Sequence, residues 1–181
     1  MESNITIIGP RAIGKSTVCK GLAFEHPLLT YIEFDAFLDK YLSNYGGLIN
    51  ALSTGVAQGI LNQKMPDEIE KILSEERILL DLGGGAISSM HDDTNRRNLT
   101  TILERSKVIP LIYSFDINRS SKVLHQRELQ RPYRAKSFLK VLEDYKRFLT
   151  VIQKNNLSPL ICYGKTVEKI ISEISKKFKR L

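Results

Sequence analysis

Tryptophan is absent, and cysteine and histidine are scarce, with two of the first and three of the second. Cys19 and Cys162 stand far apart in apolar surroundings, and neither sits in a CxxC pair. That argues against a disulfide-framed domain or a thiol redox motif and leaves two small buried side chains. His26, His91 and His125 lack metal-ligand spacing, so a zinc site is not expected. No apolar run approaches the roughly 18 residues of a membrane span. The opening MESNITIIG has an acid at its second position and no basic stretch ahead of an apolar one. No signal peptide is expected, and a cytoplasmic location is the default. Internal repeats, low-complexity stretches and linkers are also missing.

What is present suits one globular domain over residues 1–181, with 42% hydrophobic and 26% charged residues. Lysine and arginine outnumber the acids 27 to 20, for a net charge of +7. Such a balance favours phosphate-bearing ligands. The closing KKFKRL reads as a solvated helix end, with cations near the negative pole of the helix dipole. Neither a nucleic-acid partner nor a membrane partner is expected, and oligomeric state is not legible.

Five apolar, β-rich runs predict strands at 4–8, 30–34, 77–82, 107–115 and 159–163. Pro110 is awkward inside the fourth. Between them, helical patterns cover about 15–24, 36–44, 48–62, 67–75, 92–104, 137–154 and 166–178, with Pro66 placed at a helix start. Strands alternating with helices, and apolar on both faces, predict a parallel sheet in a three-layer α/β fold. The arginine-rich segment 125–136 has little to bury and reads as a mobile lid.

Gly9-Pro10-Arg11-Ala12-Ile13-Gly14-Lys15-Ser16-Thr17 fits G-x-x-x-x-G-K-[ST], directly after a predicted strand and before a predicted helix. Successive backbone N–H groups of such a loop wrap a phosphate, and the positive pole of the next helix adds to the attraction. Lys15 then bridges the β- and γ-phosphates of ATP, and the Ser16 hydroxyl is a ligand for Mg²⁺. Chance delivers these four fixed positions in a chain of this length only at about the 1% level.

On the acceptor side, Asp35 is expected to end the second strand, which puts its carboxylate at the carboxyl edge of the sheet, where α/β proteins bind ligands. It is a candidate base for a hydroxyl group, with Glu33 two residues before it. Gly83-Gly84-Gly85 closes the third strand at the same edge and offers bare backbone N–H groups. Asp81 in ILLDL resembles a Walker B acid, with a structural strand role as the alternative.

GxxxxGKS, E-x-D after strand two, GGG after strand three, and Arg127-x-x-x-Arg131-Pro132 together resemble the shikimate kinase family over essentially the whole chain. The resemblance implies a P-loop NTPase-type fold with a five-stranded parallel sheet, a substrate-binding helical region at about 36–75 and a small lid. It implies transfer of the γ-phosphate of MgATP to a hydroxyl of a small carboxylated acceptor. By resemblance, Asp35 is the substrate-binding base, Glu33 falls near Mg²⁺, and Gly83, Gly84 and Gly85 contact the substrate. Arg127 and Arg131 fall on the nucleotide side, with Arg131 reaching the phosphates, while Arg147 falls near the arginine that grips the substrate carboxylate. One departure stands out: no arginine occurs between Arg11 and Arg77, and Pro66 stands where the family has a second carboxylate-binding arginine. A different acceptor, such as a sugar acid or nucleoside, and a nucleotide-binding regulator without productive transfer both stay open.

Overall fold

The computed structural model describes residues 4–47, 56–89, 91–131 and 136–178, with the side chains of residues 45 and 56–62 excepted. Its strands are β1 (Asn4–Gly9), β2 (Thr30–Glu33), β3 (Ile78–Gly83), β4 (Ser106–Ile112) and β5 (Leu160–Ile161). Its helices are α1 (Lys15–Glu25), α2 (Phe34–Tyr41), α3 (Val56–Ser74), α4 (Gly85–Ser88) and α5 (Asp92–Arg105). After β4 come α6 (Ile117–Leu129), α7 (Phe138–Lys154) and α8 (Val167–Phe178).

The strands form one parallel sheet in the order β2-β3-β1-β4-β5, with helices on both faces. Every residue of β1 is buried, and β3 is buried up to Leu82. A strand sandwiched between helix layers must be apolar on both faces, which is why these runs read as continuous rather than alternating. At the start of β1, Asn4 Nδ2 donates to the carbonyls of Leu73 and Glu75, and its Oδ1 accepts from the Ile78 amide. This ties the α3–β3 turn to the central strand. Pro110 sits inside β4 opposite Ile8 of β1, but β5 begins only opposite Leu111. At Pro110 the strand thus has a neighbour on one side only, and the missing N–H goes unneeded.

Three expectations change. The helices expected at 48–62 and 67–75 are, from Val56 on, one helix running through Pro66, which is buried in its interior; residues 48–55 lie outside the described part. Tertiary burial here overrides the preference of proline for a first turn, at the cost of one backbone hydrogen bond. The stretch 117–129, for which no helix is expected from the sequence, is helical, capped by Asp116 accepting from the Arg119 amide. The first part of the expected lid, 125–129, is the end of that helix and buries Glu128; residues 132–135 lie outside the described part. Finally, β2 ends at Glu33, so Asp35 opens helix α2 instead of closing a strand.

Candidate active site

The central strand β1 has β3 on one side and β4 on the other, which makes its carboxyl end the switch point where open α/β sheets bind ligands. Gly9 at that end is in register with Gly83, so the phosphate loop and the triple glycine start side by side. The Gly84 amide donates to the Gly9 carbonyl at 2.8 Å. A Cβ on Gly84 would meet the Gly9 carbonyl oxygen at 2.9 Å and Phe148 Cδ2 at 3.0 Å, so only glycine fits. Gly85 faces open space. Gly14, with φ of 101°, caps α1 in the left-handed region that glycine adopts freely.

Helix α1 carries Lys15 and Ser16 up from this loop. Lys15 Nζ lies 3.3 Å from Asp81 Oδ1, both side chains largely buried. Ser16 Oγ donates to Glu33 Oε1 at 3.2 Å. The Tyr31 hydroxyl donates towards Glu33 Oε2 and Asp81 Oδ2, 3.4 Å from each. Burial, with the two acids adding to it, raises the Tyr31 phenol well above its usual range, so it stays a donor. In-register pairing of Glu33 with Asp81 sets these carboxylates side by side. Beneath them, Cys19 is buried, and that burial with nearby Asp81 raises its thiol far above the usual range, leaving it unreactive.

Asp35, in the first turn of α2, hangs over Gly83: a Cβ built there would lie 3.6 Å from Asp35 Oδ1. The side chain keeps a solvent-facing side, but the cleft around it crowds the carboxyl. That desolvation raises its pKa; Lys15 and Arg11 oppose the shift, while Asp81 and Glu33 add to it.

Arg11 Nε pairs with the buried Glu128 carboxylate, and Arg127 Nη1 reaches the Ala12 carbonyl at 3.5 Å. The Arg127 guanidinium also lies 5.7 Å from the Tyr113 ring centre, and Arg119 lies 5.3 Å from that of Tyr163. The two rings meet edge to face at 5.5 Å. This aromatic and cationic shelf beside the loop was not legible in the sequence.

Among the expected site residues, Gly9, Arg11, Ala12, Ile13, Gly14, Lys15, Ser16, Thr17, Glu33, Asp35, Gly83, Gly84, Gly85 and Arg127 gather at this one edge. Arg131 is exposed just past α6, its amide bonded to the Glu128 carbonyl. Arg147 lies on α7 in a cleft of about 420 Å³ with Ser88, Ser89 and Asn95, and pairs with Asp144 and Glu143 at 3.4 and 3.7 Å. Its neighbour Phe148 packs against Gly84 of the triple glycine. Tyr31, Glu128, Tyr113 and Tyr163 are additions that only the three-dimensional structure supplies.

No protein-family model matches the chain, and no curated protein matches it in sequence. Solved structures do match. A shikimate kinase from Bacteroides thetaiotaomicron shares 14% identity, covers 98% of both chains and superposes with a TM-score of 0.72. The fold is that of the shikimate kinases. The Acinetobacter baumannii shikimate kinase, solved with shikimate, gives 17% identity and a TM-score of 0.74 over 98% of this chain and 93% of its own. A gluconokinase from Sinorhizobium meliloti 1021 matches at 14% identity and 0.62, covering 99% of this chain and 93% of its own. Identities this low speak for the shikimate-kinase fold alone.

Proposed function

We propose that this chain is an ATP-dependent small-molecule kinase, transferring the γ-phosphate of MgATP to a hydroxyl of a small carboxylated acceptor. The observation that carries the reading is the meeting, at one sheet edge, of Lys15 and Ser16 with the Asp35 carboxylate above Gly83. A nucleotide binder without transfer needs the first pair and has no use for the last.

ATP is a substrate whose phosphates suit the loop amides and Lys15. Lys15 neutralises charge at the β- and γ-phosphates, exchanging its contact with Asp81 for phosphate oxygens. Ser16 Oγ and the carboxylates of Glu33 and Asp81 are hard oxygen donors, the type Mg²⁺ prefers, so these residues fit that ion. Bound there, Mg²⁺ supplies charge neutralisation on the phosphates. Asp35 accepts the acceptor hydroxyl's proton as the oxygen attacks; a carboxyl raised in pKa is a better base than an ordinary one. The Gly83–Gly85 turn lets an acceptor approach the backbone closely.

Arg147 is the candidate for the acceptor carboxylate, a bidentate partner by chemistry. Position 66 cannot supply a second arginine, because Pro66 is buried inside α3; Lys64 is exposed on the same helix. One protein of this fold was solved with shikimate and another is named a gluconokinase. Shikimate and gluconate are both polyhydroxylated acids, which supports the acceptor class and leaves its member open.

The test is ADP release from MgATP across a panel of shikimate, gluconate, other sugar acids and nucleosides. Release that rises with one hydroxy acid supports the reading; a rate equal to acceptor-free hydrolysis throughout contradicts it.

A further inference from the structure

Glu128 is the most deeply buried acid among the described residues, 1% exposed, and it lies on α6, outside the phosphate loop and its carboxylates. A carboxylate so placed needs charged or hydrogen-bonding partners. Two groups meet it: the Arg11 guanidinium, from the phosphate loop, forms an ion pair with Oε1 through Nε, and the Lys136 amide donates to Oε2 at 3.3 Å. The residue before it, Arg127, donates to the Ala12 carbonyl. Two consecutive residues at the end of α6 thus grip two consecutive residues of the loop.

The manner of the grip matters. Glu128 meets Arg11 at Nε, the inner nitrogen of the guanidinium, and not at Nη1 or Nη2, which carry the other four N–H groups. Arg11 itself is 42% exposed, and its charge is among those felt at Asp35. The guanidinium is therefore held at its inner nitrogen, on the loop that also carries Lys15, with part of the side chain open to solvent. A loose surface arginine loses rotamer freedom on meeting a ligand; one already held loses less.

We propose that Glu128 is a positioning residue that aims Arg11 at the terminal phosphate of the bound nucleotide, so that Arg11 acts as a second cation beside Lys15. This rests on the kinase reading above, and it deepens it: the γ-phosphate is gripped from the loop itself and not only from Lys15. Because the contact is made to the terminal phosphate, a diphosphate does not use it.

The experiment is calorimetric titration with MgADP and with the magnesium complex of a non-hydrolysable ATP analogue. The variants are Arg11→Met, Glu128→Gln and the two combined, with Lys15→Ala as control. The double variant carries neither charge, so no unpaired carboxylate is left in the core. Arg11→Met should weaken the triphosphate analogue roughly tenfold or more, the scale of one charge-assisted hydrogen bond, and leave MgADP unchanged. Glu128→Gln should give part of that loss, and none once Arg11 is gone. A purely structural Glu128 lowers the melting temperature and weakens both nucleotides alike, which overturns the proposal. So does an unchanged triphosphate-to-diphosphate ratio in Arg11→Met, or tighter triphosphate binding in Glu128→Gln, which would mean that Glu128 withholds Arg11. If Lys15→Ala binds MgADP as wild type does, the nucleotide site itself is misplaced, and the kinase reading falls instead.

Discussion

Alanine at two neighbouring glycines should give opposite results, and the difference separates packing from ligand contact. Gly84 has φ of −56° and ψ of −27°, which alanine adopts without strain, so the backbone raises no objection. Space does: the new methyl group would sit 2.9 Å from the Gly9 carbonyl oxygen and 3.0 Å from Phe148 Cδ2. The phenyl ring can give a little; the carbonyl, in the central strand, cannot. Overpacking of this kind costs about 1–3 kcal/mol. The gain from replacing glycine at a helix start is at most ~1 kcal/mol, so the clash wins. At about 2–4 °C per kcal/mol for a chain of this size, Gly84→Ala should lower the melting temperature by several degrees. Gly85→Ala meets nothing within 4 Å and should leave it unchanged or slightly raised. Yet its methyl group fills the space over which an acceptor must approach, so acceptor KM should rise while ATP binding stays. Thermal unfolding by circular dichroism reads the first effect and steady-state kinetics the second. Equal melting temperatures for Gly84→Ala and wild type, or equal losses for the two variants, would refute the reasoning.

Asp35→Asn should cut kcat by roughly 10²-fold, the usual scale for a lost general base, with little change in nucleotide binding; an unchanged kcat with weaker ATP binding would move Asp35 to the metal side. Because the Asp35 carboxyl is raised in the folded protein, activity should fall with decreasing pH through a value above the ordinary aspartate range. At neutral pH both folded and unfolded chains carry the charge, and the fold bears its cost in full; below the raised folded pKa the native chain takes up the proton first. Asp35→Asn should therefore melt slightly higher than wild type at neutral pH, an advantage that shrinks on acidification. The gain is small because Asp35 keeps a face to solvent. Lys15→Ala should stay folded and lose phosphoryl transfer, checked by ADP release; wild-type turnover would remove Lys15 from the phosphates.

Local chemistry made much of the site legible. GxxxxGKS announces itself by residue type and by its place between an apolar strand and a helix, and the triple glycine by its rarity. Strands β1 and β3 read clearly because burial on both faces demands unbroken apolar runs. Helix α6 did not, because its buried face includes Ser120, Ser121 and Glu128, which carry no hydrophobic period. The proline rule failed at Pro66, where packing of α3 outweighed one lost hydrogen bond. Glu33 and Asp35 were both recognised, but their division of labour depends on the chain turning to helix at Phe34, which sends Glu33 to Ser16 and Asp35 over Gly83. Tyr31, and the pairing of Arg11 with Glu128, join residues that only folding brings together.

The most direct measurement of the central claim is ³¹P NMR of reactions containing MgATP and a polyhydroxylated acid, run with wild type and with Asp35→Asn. The account predicts a new phosphomonoester resonance growing as ADP appears with wild type, and suppressed about a hundredfold in the variant. ADP accompanied only by inorganic phosphate, or a phosphomonoester formed equally fast without the Asp35 carboxylate, would contradict it.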